Sequence, residues 1–257
     1  MTPKLFDLTG RVAIITGTSR GLGKALAKGF AEVGAMVVGC ARNGAEAEAG
    51  AAELRAAGHE AMAMRCDTSV RADVQALIDA TVARYGKLDI MLCNAGVDRP
   101  KPALEVTDED FDAITDVNLR GTFVCAQLAA RQMIKQGRGG AIVMNSSNAS
   151  VVGFDNLAPY GASKGGTDML VRTLASEWGP HGIRVNAFNP GYMNSRQAGS
   201  EHLYTDTRFV DLTKTLTPLR RYGDAEELVG PAVFLASDAA SFVTGVVLLV
   251  DGGWCAV

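Results

Sequence analysis

Val12-Ala13-Ile14-Ile15-Thr16-Gly17-Thr18-Ser19-Arg20-Gly21-Leu22-Gly23 is the stretch that decides the fold. Its first four residues are apolar in succession, which fits a strand buried on both faces better than one with a wet side. A glycine-rich turn follows and opens into a helical stretch at 21–33. Strand, glycine turn and helix together make a dinucleotide cradle. The glycines allow a tight turn and close backbone approach, and the helix N-terminus meets the pyrophosphate. The spacing here is Gly17-x-x-x-Gly21-x-Gly23 rather than the commoner Gly-x-Gly-x-x-Gly. Glycine is frequent in loops, so the position after the first strand gives the match its weight.

Working outward, further strand-like runs fall at 36–40, 61–65, 90–93, 141–145, 184–188 and 246–250. Helical stretches lie between them at 45–57, 70–85, 108–136, 160–178 and 225–235, with Thr107 and Asp110 spaced as a capping box. Such alternation predicts an α/β fold, a single Rossmann-type doubly wound parallel sheet with helices on both faces. No linker, repeat or low-complexity tract divides the 257 residues, so one domain over 1–257 is expected. A long irregular stretch, about 191–223, is the candidate substrate lid.

The bulk numbers exclude several functions. A formal charge of −3 offers no basic field for nucleic acid. No apolar run approaches the ~20 residues of a membrane span, and the chain starts without a charged-then-apolar signal segment. The five cysteines, Cys40, Cys66, Cys93, Cys125 and Cys255, include no CxxC pair, and the strand-borne ones read as buried thiols. A cytoplasmic protein is expected.

The second strand should end beside the adenosine ribose, where an acidic residue would select NAD. Ala41 stands there, followed by Arg42, and Arg20 of the glycine turn reaches the same region. Two guanidinium groups without a carboxylate favour the 2′-phosphate of NADP(H), with NAD(H) as the alternative. Asp67, after the third strand, either accepts from the adenine amino group or caps the next helix.

Tyr160 and Lys164 stand one helical turn apart, with Ser147 thirteen residues upstream of the tyrosine. A phenol with pKa near ~10 is a poor base at neutral pH, and an ammonium on the same helix face favours the phenolate. Ser147 ends the fifth strand region, at the carboxyl-end crevice used for ligands. Its hydroxyl can hold a substrate oxygen while Tyr160 exchanges the proton and a nicotinamide the hydride.

Together these stretches resemble the short-chain dehydrogenase/reductase family over essentially the whole chain. The matching segments are TGTSRGLG at 16–23, CDTS at 66–69, CNAG at 93–96, Asn118, VMNSS at 143–147, YGASK at 160–164, NPG at 189–191 and VDGG at 250–253. The resemblance implies a catalytic set of Asn118, Ser147, Tyr160 and Lys164, with the asparagine at a helix kink anchoring a water. It adds Ser19, Leu22, Asn94, Gly96, Pro190, Gly191 and Ser195 to Gly17, Arg20, Gly21, Gly23, Arg42 and Asp67 as cofactor contacts, alongside Tyr160 and Lys164. Asn94 is also a candidate strand tie. A homotetramer is implied, and the apolar final strand suits either a subunit interface or a core strand.

Gly161-Ala162-Ser163-Lys164-Gly165 also matches the nucleophile elbow of hydrolases, but that elbow belongs at a strand-to-helix turn and Ser163 lies inside the predicted helix. Site-facing polar candidates are Asp98, Arg99, Asn148, Asp155 and Asn156, with Asn194, Arg196, Gln197, His202 and Tyr204 on the lid. This inventory suits a hydroxylated small molecule. Pro190-Gly191-Tyr192-Met193 and the ending Val250 to Trp254 resemble family members acting on sugar acids, the gluconate 5-dehydrogenases and deoxygluconate dehydrogenases. The alternatives are a 3-oxoacyl-[acyl-carrier-protein] reductase or general carbonyl reductase, and a non-catalytic NADP(H)-binding sensor.

Overall fold

The computed structural model describes residues 4–195 and 207–256. Seven strands form one parallel sheet: β1 (Val12–Thr16), β2 (Met36–Ala41), β3 (Ala61–Arg65), β4 (Ile90–Cys93), β5 (Gly140–Asn145), β6 (Ile183–Pro190) and β7 (Val247–Val250). Their order is β3-β2-β1-β4-β5-β6-β7. The chain therefore reverses its winding between β1 and β4, and a crevice opens there at the carboxyl ends of the strands.

Helices cover both faces. On one side lie α1 (Gly21–Glu32) and α2 (Gly44–Ala56); on the other lie α3 (Arg71–Tyr85), α4 (Asp108–Thr115), α5 (Thr122–Gln136) and α6 (Ala158–Trp178). Strand β1 shows why its sequence is apolar throughout. Val12 and Ile14 pack with α3, α5 and α6, whereas Ala13 and Ile15 pack with α1 and α2. Full burial of each such branched side chain stabilises the fold by about 1.5–3 kcal/mol. The capping box at Thr107 and Asp110 is formed.

Three expectations need correction. The stretch 108–136 is not one helix: a π-helical segment, Asp116–Gly121, separates α4 from α5. The long connection is not wholly irregular, since it contains α7 (Thr207–Leu216). Its ends are joined, because Gly223 donates to the Tyr192 carbonyl at 3.0 Å and Asn194 N–H to the Gly223 carbonyl at 2.7 Å. Finally, 225–235 is a 3₁₀ turn (Ala225–Leu228) followed by α8 (Val229–Ala236). Among the described residues, strand β7 lies at the sheet edge and pairs with β6 alone, and it is half-buried rather than a core strand.

Candidate active site

The crevice is a cleft of about 500 Å³ running across the ends of β1 to β6. Every predicted cofactor contact, Gly17, Ser19, Arg20, Gly21, Leu22, Gly23, Arg42, Asp67, Asn94, Gly96, Tyr160, Lys164, Pro190, Gly191 and Ser195, lines it. Ser147 does too, and Asn118 sits directly behind.

At the left end the glycine turn can be only what it is. Gly17 has φ +77° and Gly21 φ +58°, a region that side-chain-bearing residues avoid. A Cβ on Gly23 would lie 2.0 Å from the Gly17 carbonyl oxygen. Arg20, the residue preceding α1, makes no side-chain cap, so the first helical N–H groups face the cleft as an anion cradle. Arg20 and Arg42 are both exposed on its rim, and no acid stands at Ala41, although Glu46 lines the same end. These residues fit a phosphorylated dinucleotide. Asp67 does not cap α3. Its carboxylate accepts from Ser69 N–H at 3.0 Å and Ser69 Oγ at 2.7 Å, while Val70 is the residue at the helix start.

A chain of side-chain bonds connects this turn to the catalytic end. Asn94 Nδ2 donates to the Thr16 carbonyl at 2.8 Å, and Asn145 Nδ2 to Asn94 Oδ1 at 2.9 Å. Lys164 Nζ then donates to the Asn145 carbonyl at 2.8 Å. Asn94 thus ties β1 to β5 across β4. The bridging part of Asn145 went unread in the sequence, although the residue sits inside the VMNSS motif.

Helix α6 places Tyr160 and Lys164 on one face, with the ammonium nitrogen 5.5 Å from the centre of the phenol ring. Both side chains are buried. Burial holds the Lys164 amine down at about 8, against the pull of the Asp168 and Asp98 carboxylates. Ser147 Oγ accepts from Ala149 N–H at 3.1 Å and donates to Asn148 Oδ1 at 3.3 Å. Its loop is braced by Asn189, whose Nδ2 donates to the Ser147 carbonyl at 3.0 Å and to Asp168 Oδ2 at 3.2 Å. Asn189 belongs to the NPG motif, but nothing in its spacing announces that brace.

Asn118 explains the π segment. Its Oδ1 accepts from Val97 N–H at 2.9 Å and its Nδ2 donates to the Val97 carbonyl at 2.8 Å. The widened turn delivers this amide to the strap that follows β4. Ser163, by contrast, is fully buried and donates to the Tyr160 carbonyl at 2.7 Å, so it is no nucleophile.

The other polar candidates separate. Asp98 and Asn148 line the cleft. Arg99 lies 3.7 Å from Asp110, Asn194 donates to Asp224, and Asp155 and Asn156 are exposed outside the cleft. Arg196, Gln197, His202 and Tyr204 fall outside the described residues. A wall that the sequence did not foreshadow is aromatic. Phe154 and Tyr192 line the cleft, with Trp254 5.1 Å and Tyr222 5.8 Å from the Tyr192 ring centre.

Known proteins resemble the chain over nearly its whole length. A family model described as enoyl-(acyl carrier protein) reductase matches residues 17–255. Gluconate 5-dehydrogenase of Gluconobacter oxydans is 41% identical, over 98% of this chain and 97% of its own. D-threitol dehydrogenase of Mycolicibacterium smegmatis is 39% identical, over 97% of this chain and 94% of its own. Among solved structures, a short-chain type dehydrogenase/reductase from Mycobacterium marinum superposes with TM-score 0.91 at 36% identity, covering 97% of each chain. A gluconate 5-dehydrogenase from Burkholderia cenocepacia, in complex with NADP and tartrate, gives TM-score 0.94 at 40% identity, covering 98% of each. The chain belongs to the short-chain dehydrogenase/reductase family and is an oxidoreductase acting on CH–OH groups.

Proposed function

We propose that this protein is an NADP(H)-dependent oxidoreductase that interconverts a secondary alcohol and a ketone on a polar, sugar-like or sugar-acid-like substrate. The observation that carries the reading is the burial of Ser147, Tyr160 and Lys164 together at one end of a cleft whose other end is a glycine turn flanked by Arg20 and Arg42. The NADP complex of the Burkholderia relative supports the cofactor. The names of the gluconate and threitol dehydrogenases support a polyhydroxylated substrate over an acyl thioester.

A bound nicotinamide would supply or accept the hydride. Arg20, Arg42 and the N-terminus of α1 would hold its phosphates, and Gly96, Pro190, Gly191 and Ser195 would flank it. In oxidation, Ser147 Oγ holds the substrate oxygen and the Tyr160 oxygen takes the hydroxyl proton. Lys164 lowers the cost of the phenolate while it is protonated. Asn118 holds Val97 and with it the strap beside the lysine. In reduction the proton returns from Tyr160.

The segment 191–223 is proposed as a lid hinged where residues 192–194 meet Gly223. A homotetramer is supported by outward-facing Phe242 and by Leu249 on the edge strand, which another copy would cover. Reduced thiols at all five cysteines favour a cytoplasmic location. Initial rates with NADPH and NADH on keto-sugars, keto-sugar acids and acetoacetyl thioesters test the reading. NADPH-dependent turnover of the sugar-like ketones is expected. Turnover confined to the thioester would overturn it in favour of acyl-carrier chemistry.

A further inference from the structure

We propose that Asp168 is a positioning residue for the reaction: its buried carboxylate, one helical turn after Lys164, is the counter-charge that keeps the lysine an ammonium beside Tyr160. This rests on the oxidoreductase reading above and adds a group that serves it without touching substrate.

Tyr160, Lys164 and Asp168 follow one another at intervals of four along α6, so they share one face of the helix. All three are buried, Lys164 at 4% exposure and Asp168 at 3%. The face is tied to the strand ends at two points. Lys164 Nζ donates to the Asn145 carbonyl at the end of β5. Asp168 Oδ2 accepts from Asn189 Nδ2, at the end of β6, at 3.2 Å. The same amide nitrogen donates to the Ser147 carbonyl at 3.0 Å. Asp168 is thus joined through one residue to the loop that presents the catalytic serine.

A carboxylate taken out of water is costly unless an opposite charge or full hydrogen bonding offsets it. Asp168 Oδ1 has no hydrogen-bond partner among the described residues, and the Asn189 amide on Oδ2 is neutral. The Lys164 ammonium supplies the offset, and the attraction runs both ways. Burial pulls the lysine amine down, while Asp168, and after it Asp98 on the strap that follows β4, pull it up. Tyr160 is the third ionisable group beside the amine, and Asn145 and Asn189 at the strand ends are neutral. Arg172, one further turn along α6, is exposed and bonds the Asp168 main-chain carbonyl at 3.4 Å. Asp168 differs from Asp98 in riding on the same helix as the pair it serves. Without its charge the amine would give up its proton nearer neutral pH, and a Tyr160 phenolate would lose its stabilising cation.

Asp168→Asn removes the charge and keeps an oxygen for Asn189, Asp168→Ser is a second neutral variant, and Asp168→Glu keeps the charge. In cofactor-free protein carrying ¹³C at the lysine ε carbons, the Lys164 resonance is assigned by its loss in Lys164→Met and followed with pH. Its midpoint should move toward acid by about one pH unit or more in Asp168→Asn, the effect of one buried charge a helical turn away, and by less than about 0.3 unit in Asp168→Glu. Removing a neighbouring negative charge lowers the proton affinity of Tyr160 and Lys164 alike, so the direction holds whichever of the two titrates first. The alkaline limb of kcat for NADPH-driven reduction of a responsive keto-sugar should move the same way in Asp168→Asn and hold its place in Asp168→Glu, even where kcat itself falls. A lysine midpoint unmoved by Asp168→Asn, or by Asp168→Ser should the amide variant not fold, overturns the proposal. So does a kcat lowered by one factor at every pH, the mark of a merely structural role. A wild type inert toward every carbonyl overturns the oxidoreductase reading, and the lysine resonance, which needs no substrate, then decides the counter-charge by itself.

Discussion

Replacing Lys164 by methionine removes a charge that the fold has difficulty keeping. The amine is buried and held at about 8, against an ordinary 10.5. The folded state therefore binds fewer protons than the unfolded chain between those values, and the lysine lowers stability at neutral pH. The sign is fixed by the direction of the shift. Below pH 8 both states carry the proton and the full desolvation cost is present; as pH rises toward 10.5 the cost disappears. At about 1.4 kcal/mol per pKa unit, the wild type should gain roughly 2–3 kcal/mol relative to Lys164→Met between pH 7 and pH 10. The lost bond to the Asn145 carbonyl shifts the comparison by a constant but not its slope. Urea unfolding of the cofactor-free proteins at five pH values reads this difference, with both members of the pair carrying Tyr160→Phe so that the phenol beside the lysine does not titrate. A gap that stays level from pH 7 to pH 10 would refute the claim that the fold desolvates this amine.

Three further outcomes follow from the same geometry. Gly23→Ala puts a methyl against the Gly17 backbone; such overpacking costs about 1–3 kcal/mol, so NADPH affinity by fluorescence titration should fall roughly ten- to hundredfold with secondary structure intact. Arg42→Ala should weaken NADPH about tenfold by calorimetry and leave NADH unchanged, since only the 2′-phosphate is lost as a partner. Asn118→Leu frees both Val97 groups, so the Val97 amide should exchange faster with deuterium and kcat should fall.

Much of this was legible because burial on both faces leaves its mark on a strand. Val12, Ala13, Ile14 and Ile15 read as central for the reason that they are central: alternate side chains enter different cores. The glycine turn and the Tyr160–Lys164 pair are local geometry, so spacing exposes them. Asn118 was named only by family likeness, because the π segment that aims it depends on a strap twenty-one residues upstream. Helix α7 escaped for another reason. It lies inside a stretch read whole as irregular, although its apolar and polar residues segregate at helical spacing. The wall of Phe154, Tyr192, Tyr222 and Trp254 is assembled from the β5–α6 loop, the two ends of the 191–223 connection and the turn after β7, and no periodicity links them.

The central claim is that Tyr160 exchanges the proton in a reaction driven by NADP(H), and Tyr160→Phe tests it most directly. NADPH oxidation with a responsive keto-sugar should fall at least about a thousandfold in kcat/KM, within the range for a lost acid–base group. The dissociation constant for NADPH should stay within about threefold of wild type. A variant that keeps most of its turnover while binding NADPH normally would contradict the account.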